Sequence, residues 1–89
     1  MRPRSGARVV LDLEDAGPAE VVYRAAIYAP DAEWRGVARV APDGAIRFDD
    51  WDAPPALVEQ ARAFLRVEWR ARQGADPPPW PARINRWRG

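Results

Sequence analysis

Apolar and polar residues alternate with a period of two along most of the first half of the chain. Val9, Leu11 and Leu13 interleave with Val10, Asp12 and Glu14, which predicts a half-buried strand over about residues 7 to 14. A second strand spans roughly Glu20 to Ala29, with Val21, Tyr23, Ala25 and Ile27 on one face and Val22, Arg24, Ala26 and Tyr28 on the other. The third, Glu33 to Ala41, sets Trp34, Gly36, Ala38 and Val40 against Arg35, Val37 and Arg39. The fourth, AIRFDDW, turns Ile46 and Phe48 inward and Arg47 outward. DAGPA, APDA and PDG punctuate the strands, and PDG is the strongest turn, since Pro presets one corner and Gly accepts a positive φ. Connections this short imply an antiparallel meander, because parallel pairing needs long crossovers.

The period changes over residues 53 to 73. Leu57, Ala61, Phe64 and Leu65 share one face at helical spacing, with Val58 and Trp69 at its margin. Asp52 is the expected N-cap, Pro54 and Pro55 suit a first turn whose amide positions have no acceptor, and Gly74 marks the end. The fold class predicted is α+β: a four-stranded antiparallel meander followed by one helix packed on one sheet face. That single domain occupies residues 7–74, after a basic tail over 1–6 and before a Pro-rich linker and Trp/Arg segment over 75–89. In that last segment Trp80, Ile84 and Trp87 stand at i, i+4 and i+7 behind Pro81, which reads as a short amphipathic helical turn. A helix that short is unstable alone, so its apolar edge must either fold back on the domain, the preferred reading, or enter a partner.

Composition narrows the chemistry. With 47% hydrophobic residues and five tryptophans in 89 positions, the chain has enough apolar material to fold as a globule, although a small one. It contains no His, Cys, Lys or Thr, and its one serine is Ser5, so triads, thiolate nucleophiles and zinc sites have no residues to draw on. No glycine-rich phosphate loop is present. In the acidic run DDWD, alternation points Asp49 and Asp50 in opposite directions and gives Asp52 a capping role, which leaves no converging oxygens for a hard cation. We therefore expect no catalytic residue, metal or cofactor. The absence of cysteine, of a signal-like apolar run and of a membrane span points to the cytoplasm. Exclusive use of Arg over Lys reads as the codon bias of a GC-rich bacterial genome.

The candidate residues are thus binding residues. Glu68 falls inside the apolar stripe of the helix; as a buried acid it is either a general base or, the preferred reading, ion-paired to an arginine of the sheet or tail. The wet face of the helix carries Arg62, Arg66 and Arg70 four residues apart, where like charges repel by a few tenths of a kcal/mol unless an anion or acidic surface relieves them. A solvated face is the plainer alternative. On the sheet, alternation projects Arg24, Arg35, Arg39 and Arg47 away from the helix, among Tyr28 and Trp51, with no second helix to cover them. Trp80, Arg83, Arg86, Trp87 and Arg88 of the tail complete the set.

Arg with Trp and Tyr suits both protein interfaces and stacked bases. Charge helps decide. Residues 1–10 hold three arginines and no acid, 11–58 four arginines against ten acids, and 59–89 seven against three. That balance lacks the basic excess of most nucleic-acid binders. Four antiparallel strands and then a helix, over about residues 7 to 73, resembles the order in PC4-like single-stranded DNA-binding domains, without their lysine-rich binding strands. The expectation is a non-catalytic protein-interaction module or accessory subunit, with a protein partner or self-association. Binding of single-stranded DNA or RNA is the alternative.

Overall fold

A computed structural model describes residues 6–88, without the Arg88 side chain; the basic N-terminal tail proposed for residues 1–6 thus lies almost wholly outside the described residues. Strands β1 (Ala7–Ala16), β2 (Val21–Ala29), β3 (Ala32–Val40) and β4 (Ile46–Asp49) form the antiparallel meander, and helix α1 (Pro55–Ala71) covers one of its faces. The fold is α+β. To the expected four strands the chain adds a fifth, β5 (Arg83–Arg88), which returns to pair antiparallel with β1, giving the order β4-β3-β2-β1-β5.

This fifth strand corrects the helical reading of the tail. Ile84 lies opposite Leu11 and is buried in the core, whereas Arg83, Asn85 and Trp87 project from the other side of the sheet. The cause is the bare edge of β1, whose amide and carbonyl groups need partners that only another strand supplies in number. Trp80 does fold back, meeting Tyr23 with ring centroids 6.2 Å apart.

The core lies between sheet and helix. Val9, Leu11, Tyr23, Ile27, Ala38 and Val40 from the strands meet Ala61 and Leu65 of α1, with Leu57, Val58, Phe64 and Trp69 packed around them. Two glycines allow tryptophans to approach. A Cβ on Gly36 would overlap the ring of Trp51, and one on Gly44, in the PDG turn with φ +92°, would come within 2.8 Å of Trp69. Trp69 Nε1 donates to the Pro42 carbonyl at 3.2 Å, tying the helix to the β3–β4 turn.

Asp52 does not cap the helix; Pro54 occupies the N-cap with no side-chain hydrogen bond, Pro55 at the first helical position has no amide to satisfy, and Leu57 N donates to the Pro54 carbonyl at 3.0 Å. Trp51 does not join the open sheet face. Asp50 takes a left-handed φ of 55°, which ends β4 and breaks the alternation, and Trp51 swings to the helix side, stacked on Phe48 at 5.7 Å.

Candidate functional site

The sheet face away from α1 has no second layer among the described residues. Strand register lays its side chains in rows: Asp49, Val37, Arg24, Asp12 and Arg83 in one, Arg35, Ala26, Val10 and Asn85 in the next, then Glu33, Tyr28, Arg8 and Trp87. Val10, Val22 and Ala26 form an apolar floor only 7–8% exposed. With no helix above them, the aliphatic stems of the surrounding arginines supply that cover.

The guanidinium groups are held within the face. Arg24 meets Glu14 at 3.0 Å, across a bulge between Leu13 and Asp15 in β1. Arg35 reaches Glu33 at 3.0 Å and the Tyr28 hydroxyl at 3.3 Å, while stacking over the Tyr28 ring. Arg39 bridges Glu20 and Asp49, both at 2.7 Å, and Arg47 adds a 3.4 Å contact to Asp49. Arg83 forks onto Asp12 at 2.6 and 3.3 Å. Arg8 donates to Asn85 Oδ1 at 2.9 Å and lies 5.5 Å above Trp87. The pairing shows in the ionisation: the Arg39 hydrogen bond holds the Asp49 carboxyl below the usual carboxylate range, and the Asp49 and Glu20 carboxylates raise Arg39 in turn. Asp12 likewise raises Arg83. Six arginines thus face five carboxylates, and a depression of about 260 Å³ opens between Arg8, Asp12, Arg24, Arg35 and Arg83.

At the margin of this face Trp87 is 58% exposed, although tryptophan is among the costliest side chains to leave in water. Trp87 and Trp80 therefore play different parts, which the shared helical spacing had concealed. Trp80 stacks beneath Arg72 at 4.9 Å and belongs to the fold.

The helix residues also separate. Arg62 leans across the Phe48 ring at 5.1 Å, donates to the Ile46 carbonyl and pairs with Glu59, so it serves packing. Arg66 and Arg70 are exposed and form no salt bridge among the described residues. Glu68 is largely buried and claimed at both oxygens, by Arg72 at 3.0 Å and Arg86 at 3.8 Å. A carboxylate so clamped is positioned as an anchor between helix and tail. Beside Arg72, a mostly apolar cavity of about 240 Å³ lies between Trp69, Trp80, Pro18, Pro42 and Pro77. The side chain of Arg88 lies outside the described residues.

Arg8 and Asn85 are surface residues that the candidate set missed. Arg8 was readable, since alternation from Val10 and Asp12 puts it on their face; Asn85 was hidden by the helical reading of the tail. No three His, Cys, Asp or Glu residues among those described could hold a metal ion, and no described helix is long and apolar enough to cross a membrane.

No protein-family model, curated protein or solved structure matches the chain.

Proposed function

We propose that this chain is a small non-catalytic protein-interaction module that binds through its open sheet face, with the cytoplasm as its compartment. One observation carries the reading: the arginines of that face are matched by acids and an amide on the same face, leaving a near-neutral mosaic with an exposed Trp87 at its edge. Affinity for nucleic acid comes largely from cations that neutralise phosphates and release counterions. Here five carboxylates already hold five of the six guanidinium groups, and a phosphate would have to displace them. A protein surface of mixed polarity can instead exchange pairs row by row, while Trp87, Tyr28 and the arginines are of the types that anchor interfaces. The unpaired Arg66 and Arg70 sit on the helix side, so they do not extend this face into one basic track.

Affinity capture with the immobilised chain, from a lysate treated with nuclease, tests the proposal. The expected result is a protein retained by the wild type and lost from a Tyr28→Ala/Trp87→Ala double variant. Retention abolished by nuclease, together with an electrophoretic shift of single-stranded DNA or RNA at moderate salt, would favour the nucleic-acid reading instead.

A further inference from the structure

The sheet has two edges, and they differ. At one end β4 is four residues long and is closed by the left-handed Asp50, so only Ile46 and Phe48 turn backbone groups outward. At the other end stands β5, six residues long. Its orientation follows from one hydrogen bond: Leu13 N donates to the Ala82 carbonyl at 2.8 Å, which makes that opposed pair a hydrogen-bonded one. Since such pairs alternate along an antiparallel ladder, Ile84, Arg86 and Arg88 also face β1. The amides and carbonyls of Arg83, Asn85 and Trp87 therefore point away from the sheet, and no described strand takes them.

We propose that β5 is an acceptor edge for an acidic extended segment of a protein partner, which adds as a sixth strand. The inference rests on the protein-interaction reading above and names its partner's chemistry. Strand addition draws affinity from main-chain hydrogen bonds and selectivity from alternate side chains. β5 reads RINRWR, with three arginines and no acid. A second copy would bring three more arginines and no acid to the same seam, and charged edges are how sheets deter their own copies. A strand rich in Glu or Asp meets the opposite situation. Its acids would lie beside Arg86 on the helix face, a half-exposed guanidinium that reaches Glu68 only at 3.8 Å and donates to the Asn85 carbonyl at 3.1 Å, and beside Arg83 on the open face, where they would share the guanidinium with Asp12. On the open face an adjoining apolar side chain would cover Trp87.

The test uses the full chain and a blocked nine-residue peptide built from Glu and Val, with an acid on each of its two faces, read by amide hydrogen exchange at single-residue resolution. Slowing of the Arg83, Asn85 and Trp87 amides by at least about tenfold is expected, because outward amides gain acceptors only if a strand pairs there. A Lys/Val peptide should leave them unchanged, as should a Glu/Val peptide N-methylated at alternate residues. Asn85→Pro should abolish the effect, since it removes an outward N–H without touching the β1 ladder; the N-methylated peptide makes the same test with no change to the protein. No slowing, equal slowing by the Lys/Val peptide, or a wild-type dimer already protecting these amides would overturn the proposal. If partner capture remains sensitive to Tyr28 and Trp87 while Asn85→Pro and the peptides have no effect, only the edge proposal fails; if capture fails as well, so does the reading beneath it.

Discussion

The hydroxyl of Tyr23, on β2, donates a 2.7 Å hydrogen bond to the carbonyl of Pro81, 58 residues further along the chain. The ring is fully buried, and desolvation pushes the phenol pKa up to about 12. Tyr23→Phe leaves the Pro81 carbonyl without its donor and should cost about 1–2 kcal/mol. The alkaline limb is more diagnostic. An unfolded tyrosine ionises near pH 10, so the stabilising contribution of the neutral phenol is complete below that pH and is lost as pH rises through about 12. Thermal melts from pH 8 to 12 should show a decline in the wild type that the variant lacks in part.

Ile84 and Trp87 separate structure from surface. Ile84→Ala empties a fully buried site and should cost about 2–5 kcal/mol. Trp87→Ala removes an exposed ring and should stay within about 1 kcal/mol, mainly the loss of its contact with Arg8. Denaturant titration of both variants checks the difference, and a Trp87→Ala variant as unstable as Ile84→Ala would contradict the placement of β5.

Gly36 has no room for a methyl group beneath Trp51. Gly36→Ala should cost about 1–3 kcal/mol through displacement of that ring. Its signature is a shift in tryptophan emission alongside the lower Tm, with the double variant Gly36→Ala/Trp51→Ala recovering part of the steric cost.

Asp49 links pH to the open face. Its depressed carboxyl pKa means that its stabilising contribution is full above the ordinary carboxylate range and is lost as pH falls through the depressed folded value. Asp49→Asn should therefore lower the Tm at neutral pH and flatten its dependence below about pH 4. Arg39→Met should do the same, because Arg39 is the larger cause of the shift. Both differences should shrink in high salt, as the pair is partly exposed.

How far the structure was legible in the sequence depended on where each residue's partner lies. The faces of Val9 to Leu13, Val21 to Tyr28 and Trp34 to Val40 follow from parity alone, because a strand half covered by one helix must alternate. Parity failed at Trp51, since one left-handed residue, Asp50, resets which side comes next. It failed again from Trp80 to Trp87, where three apolar residues fit a helical spacing and the deciding fact was the unsatisfied edge of β1, over seventy residues earlier. The arginines of the open face were readable by alternation, as was the partial neutralisation by Asp12, Glu14 and Asp49 on the same face; the clamp on Arg39 was not, because Glu20 reaches it from the turn before β2 and Asp49 from β4.

The pairing of Ala7 with Arg88 also has a consequence for how the domain can be joined to others. As a hydrogen-bonded antiparallel pair they stand only about 5.5 Å apart at one corner of the sheet. Sequence entering before β1 and sequence leaving after β5 thus share a single doorway. The domain can be spliced into a surface loop of a host protein while hardly parting the loop's two ends, and a circular permutant closed by a short linker at this corner and opened among Pro77 to Pro79 retains every strand pairing.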